Sequence, residues 1–157
     1  MLRAIAVLRI FFGVVYFTNG LSKFVPSIAH VPGGYFLIDS QGAKSIIQHN
    51  AAHHPVALYH DLVFNVFVPH WNVFGPLVGL AEMTAGVLLL LGLASWVGAL
   101  LAALLALHIQ FSDATGPWLY EYAVEWVPLL CLVFMKAGRT WGLDGVVGGA
   151  RWRRLFA

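Results

Sequence analysis

Residues 73–93 read VFGPLVGLAEMTAGVLLLLGL, twenty-one positions with a single charge, Glu82, near the middle. A helix crosses the hydrocarbon of a bilayer with about 20 mostly apolar residues, and this stretch has that length and character. Three more segments have a similar character: about 4–24, about 96–111, which is nearly pure alanine and leucine, and about 119–137. The composition agrees. The chain of 157 residues is 60% hydrophobic and 10% charged, with a mean hydropathy of +0.79, whereas soluble domains carry about 25% charged residues. The expected fold is therefore all-α: an integral membrane four-helix bundle in one domain.

The segment between the first two spans, residues 25–72, is long and mixed. It holds Pro26, Pro32, Pro55 and six of the seven histidines. Leu58, Leu62, Val63 and Val66 recur at helical spacing around His60 and Asp61. That pattern predicts a short amphipathic helix lying on the membrane face, within an extracytoplasmic loop that caps the bundle. Residues 92–96 make a tight connection, so the second and third helices are antiparallel neighbours. Arg3 precedes the first helix, and five of the nine basic residues lie at or after Lys136. Basic residues mark the cytoplasmic side. The reading is a multi-pass protein of the cell (inner) membrane with both termini cytoplasmic, ending in a basic tail over 138–157. Arg9 and Lys23 interrupt the first segment, which is read as a retained helix rather than a cleaved signal peptide. Trp71, Trp96, Trp118 and Trp141 fall near predicted helix ends, as an aromatic belt requires.

Charges inside lipid are costly and normally face the bundle interior. Arg9, Gly13, Tyr16, Gly20 and Lys23 follow intervals of four and three, which places them on one stripe. Gly75, Gly79, Glu82 and Gly86 form a second stripe; Glu121, Glu125, Pro128 and Leu132 form a third. At 1.5 Å per residue, Glu82 lies roughly 13 Å and Glu125 roughly 9 Å from the outer ends of their helices. Asn19, Lys23, Glu82, His108, Glu121 and Glu125 are thus expected to gather in the outer half, with Arg9 apart toward the cytoplasm. Glu82 and His108 are the candidate catalytic pair. Arg9, Asn19, Lys23, Glu121 and Glu125 are candidates to hold a cofactor. Against this stands a plainer reading, in which the charges neutralise one another and fix helix register, and Lys23 is a snorkelling anchor.

His49, His53 and His54 include an i, i+4 pair, a spacing that can hold a metal, but no nearby Cys or Glu completes a signature and no metal ligand is assigned. The lone Cys131 excludes an internal disulfide or dithiol pair and is expected to be a small buried hydrophobe. No phosphate-binding glycine loop or serine nucleophile elbow is present. The Arg-Trp-Arg-Arg tail is explained by topology and anionic lipid rather than by nucleic acid.

Arg9-x3-Gly13-x3-Phe17-x2-Gly20-x2-Lys23 and Glu82-x3-Gly86-x3-Leu90-x-Gly92 resemble the first- and second-helix motifs of the DoxX-like membrane proteins. Gly138-Arg139-Thr140-Trp141-Gly142-Leu143-Asp144 is similar to their closing motif. The resemblance implies a four-helix membrane fold. Members similar to DoxD belong to a thiosulfate:quinone oxidoreductase, and others are associated with sulfur or oxidative-stress functions beside soluble partners. It thus implies a membrane quinone as cofactor and a role as a redox subunit. Two other readings stay open: a non-catalytic scaffold using Gly75 and Gly79 to bind partner subunits or a second copy, and a small transporter or metal-handling protein using the histidine cap.

Overall fold

The computed structural model describes residues 2–30, 37–113 and 122–147. Glu121, Trp118 with most of the 112–118 turn, and the basic tail from 148 onward lie outside the described residues. The described residues form α1 (Leu2–Ser22), a 3-10 turn (Pro26–His30), α2 (Ser40–Ala52), α3 (Ala57–Leu62), a π turn (Val63–Phe67), α4 (Trp71–Leu91), α5 (Ser95–Ser112), α6 (Ala123–Phe134), a second 3-10 turn (Ala137–Arg139) and α7 (Leu143–Val147). Three helices, α1, α4 and α5, are long and apolar enough to cross a membrane, and α6 is a shorter apolar helix. The chain is an all-helical membrane bundle.

The strongest pairing runs along α1 and α4, and small residues set its distance. A Cβ on Gly86 would collide with the Phe17 backbone nitrogen, and one on Gly20 would lie 2.6 Å from the Gly79 carbonyl oxygen. Backbones therefore touch, which lets dispersion hold two helices together where no hydrophobic effect operates between them. These glycines consume space rather than leave it. Gly75 packs on Trp71 and Ser40, and Gly79 on Phe24 and Lys23, so the small-residue step once open to a partner helix is covered within the chain. On the other side of α4, helix α5 presents Ala99, Ala102, Ala103 and Ala106, all fully buried. Ala99, Ala102 and Ala103 share one core with Phe12, Tyr16, Leu89, Leu129 and Leu132.

The outer surface is apolar. Phe11, Leu77, Leu80, Leu104 and Phe134 are each more than half exposed. In water, such a surface is an association hazard; against acyl chains it is matched. Cys131 belongs to this outer surface, not to the core expected of it. Its thiol is small and apolar enough for lipid contact.

Two features of the cap depart from expectation. It contains a second helix, α2, started by Asp39, whose Oδ1 accepts from the Gly42 N–H at 2.7 Å. This satisfies one of the four unpaired N–H groups at a helix start. Trp71, expected in an interfacial belt, is 8% exposed and donates Nε1–H to Ser40 at 3.1 Å, so it docks α2 instead. Along α3 and the π turn, Tyr59 and Val63 face inward, while Leu58, Leu62 and Val66 face outward, which is the apolar stripe of an interfacial helix.

Candidate functional site

Lys23 follows the last turn of α1, and its ammonium stands 2.6 Å from Glu82 Oε2. Their side chains are 4% and 12% exposed. An ammonium has three hydrogens. Besides this ion pair, Lys23 Nζ donates to Ile38 O at 3.3 Å and to Asn19 O at 3.4 Å. Asn19 Oδ1 accepts from the Ile38 N–H at 3.2 Å, and Ser22 Oγ donates to Ile38 O at 2.9 Å. The end of α1 thus clasps both backbone groups of Ile38, the residue that leads into α2. Asn19, Lys23 and Glu82 come together as the spacing predicted, but the segment closing over them is the cap's own linker.

Deeper in the bundle, Tyr16 OH lies 2.8 Å from Glu125 Oε1 and 2.9 Å from Ala102 O. One hydroxyl hydrogen serves two acceptors, so a carboxyl that also carries a hydrogen, or Ala102 O resting on its own helix bond, completes the set. Glu125 sits in the first turn of α6, where the helix dipole favours negative charge. Two polar pairs therefore sit inside the apolar bundle: Lys23 with Glu82 of α4, and Tyr16 of α1 with Glu125 of α6. Tyr16 lay on the sequence stripe of α1, yet only its geometry identifies it as Glu125's partner.

His108 is placed elsewhere. Its Nε2 is 3.5 Å from Tyr59 OH, and its ring belongs with the cap. There, His54 Nε2 lies 2.9 Å from Phe111 O, and the Val56 N–H lies 3.1 Å from His54 Nδ1. A carbonyl needs a donor and an N–H needs an acceptor, so this network assigns the proton to Nε2. Asn50 Nδ2 donates to Ser112 Oγ at 3.1 Å. Burial pushes the Tyr59 phenol up from its ordinary value, partly offset by a hydrogen bond with Ser112. The His49 and His53 rings lie tilted against each other with centroids 5.1 Å apart. Among the described residues, no three His, Cys, Asp or Glu side chains converge as metal ligands would.

At the opposite end, Arg9 is fully buried. Its Nη2 donates to Trp141 O at 2.9 Å, while Nε and Nη1 have no hydrogen-bond partner among the described residues. Beside it, Asp144 Oδ1 accepts from the Ala94 N–H at 2.7 Å, and Oδ2 from the Ser95 N–H at 3.0 Å and Ser95 Oγ at 2.8 Å. Asp144 therefore caps the start of α5 from 50 residues away. Its own N–H donates to Gly92 O at 2.8 Å. Gly92 has φ +61°, the left-handed conformation that ends α4 and that glycine adopts without strain.

The model of the DoxX family matches residues 4–112. The chain belongs to the DoxX family. The DoxX match takes in Arg9, Lys23, Glu82 and His108, and stops short of Glu125 and Asp144. No curated protein and no solved structure matches the chain. In this DoxX chain the matched residues take in the three long apolar helices, and Glu125 and Asp144 lie beyond them.

Proposed function

We propose that this DoxX protein is a membrane subunit in quinone-coupled redox chemistry, in sulfur or oxidative-stress metabolism, and that its own part is proton exchange. The observation that carries this is the Lys23–Glu82 pair set against a span-length apolar helix, with a second buried pair, Tyr16 and Glu125, in the same bundle. Ionisable groups in a membrane interior mark proton or substrate routes more often than they serve stability. Reducing a quinone to its quinol takes two electrons and two protons. Carboxyls at Glu82 and Glu125 and the Tyr16 hydroxyl are groups that can hold and pass such protons.

The fit to the quinone ring itself is poor. Lys23 is held by its ion pair with Glu82 and by donation to Ile38 O and Asn19 O, and the α1–α4 seam is closed by backbone contact. The reading therefore gives the ring and the electrons to a partner protein and keeps for this chain the proton-bearing groups. Expected in membrane vesicles is a fall of at least about tenfold in thiosulfate-dependent quinone reduction with Glu82→Gln, a barrier increase of about 1.4 kcal/mol. Full activity with Glu82→Gln and Glu125→Gln together refutes it.

The second reading is a non-catalytic scaffold or assembly partner. It is favoured by the mutual saturation of Lys23, Asn19 and Ser22 on the Ile38 backbone, which spends the polar groups on holding the cap. Purification in mild detergent tests it: copurifying subunits that persist with Glu82→Gln support it, and an isolated monomer counts against it.

A further inference from the structure

We infer that the end of the bundle opposite the cap carries a binding site for an anionic phospholipid. The site is a groove of about 600 Å³ lined by Leu90, Leu91, Arg139, Trp141, Leu143 and Val146. Its size falls in the range of ligand clefts, about 300–1,000 Å³. Leu90 and Leu91 are the last residues of a span-length helix, so the groove lies where acyl chain gives way to headgroup.

The lining is amphipathic in the sense a lipid requires. Leu91, Leu143, Val146 and Trp141 are exposed apolar surface, with Trp141 62% and Val146 77% exposed. Trp141 holds this position at φ +52°, a conformation uncommon for a residue with a side chain. The single charged lining residue is Arg139. The acid nearest in sequence, Asp144, is turned away, with its oxygens taken by Ala94 and Ser95.

A second, independent feature lies behind the groove floor. The buried Arg9 guanidinium, whose charge Asp144 partly offsets, stands there: a Cβ on Gly142, which lines the groove, would come 2.6 Å from Arg9 Nη1. Two of its nitrogens lack partners among the described residues. A phosphodiester bearing net negative charge at Arg139, with its chains along Leu91, Leu143 and Val146, completes the charge and the apolar surface together. A zwitterionic headgroup meets the second requirement but not the first.

The test is lipid exchange on the full chain in detergent, read by native mass spectrometry. Phosphatidylglycerol is expected to be retained over phosphatidylcholine, and Arg139→Gln is expected to reduce its retention about five-fold, as one surface cation near an anionic lipid implies. Three results overturn the proposal. They are equal retention of the two lipids, complete displacement by millimolar inorganic phosphate, or loss of retention on replacing Arg151, Arg153 and Arg154 with glutamine while Arg139→Gln has no effect. Should Arg139→Gln fail to fold, photoactivatable phosphatidylglycerol on the unaltered protein decides the matter. Labelling of peptides spanning 139–147 supports the groove, and labelling confined elsewhere overturns it.

Discussion

Lys23 and Glu82 face each other at 2.6 Å across the seam of α1 and α4, and this pair joins the membrane bundle to its cap. The ammonium that neutralises Glu82 also holds Ile38 O, so charge pairing and cap closure depend on one side chain. Removing one partner of a buried ion pair leaves an uncompensated charge, which costs about 3–5 kcal/mol, whereas replacing both with apolar groups is often neutral. Lys23→Met and Glu82→Leu are each expected to lose stability on this scale, and the double variant to recover most of it. Denaturant titration in mixed micelles measures all three. Additive losses would show that the two residues do not act as a pair.

The glycine seam gives an ordering. At Gly86, an added Cβ meets the Phe17 backbone nitrogen and, at 2.6 Å, its Cα; at Gly13, it meets the Leu90 backbone nitrogen less closely, at 2.8 Å, and the flexible Leu90 side chain at 2.9 Å. Overpacking costs about 1–3 kcal/mol, more where backbone must move. Gly86→Ala is expected to destabilise more than Gly13→Ala, with thermal unfolding in detergent as the readout. Equal or reversed effects would contradict the close approach at Gly86.

The apolar runs made the bundle legible, because lipid imposes length and hydropathy on any spanning helix. Faces of α1 and α4 were legible for the same reason: helical periodicity placed Gly13, Tyr16, Gly20 and Lys23 on one stripe, and the structure puts Gly13, Gly20 and Lys23 against α4 and turns Tyr16 to α5 and α6. Partners across long gaps were not legible. Nothing in spacing says that Ile38 closes over Lys23, that Tyr16 meets Glu125, or that His108 belongs with Tyr59. Those depend on how the cap and α6 dock, which is tertiary. Helix α2 was missed because its pattern is weak, although Asp39 three residues before Gly42 is a readable cap signal.

Asp144 is the clearest case of a residue whose role appears only in three dimensions. It satisfies the first N–H groups of α5 and ties α7 to the α4–α5 turn. Losing a capping side chain costs about 0.5–2 kcal/mol. Asp144→Ala is expected to release the closing segment, raising trypsin cleavage after Lys136 and Arg139 by up to about thirty-fold, the factor equivalent to about 2 kcal/mol. Asp144→Asn, which keeps one acceptor oxygen, is expected to fall between. Unchanged cleavage in Asp144→Ala would mean the cap does not hold this segment.

The cap also carries a pH dependence of definite sign. Burial raises the Tyr59 phenol above its ordinary value, so the folded cap favours the neutral form more than the unfolded chain does. Its contribution is fully present below the unfolded value of about 10. It is lost as pH rises through the higher folded value, because the unfolded state then releases a proton that the folded state retains. Hydrogen exchange of α3 amides, corrected for intrinsic rate, is expected to accelerate above about pH 10, and Tyr59→Phe is expected to abolish that added acceleration. The phenylalanine ring keeps the packing against His54, whose ring lies 4.5 Å away, and removes only the titrating hydroxyl. An alkaline opening that persists in Tyr59→Phe would assign it to another group.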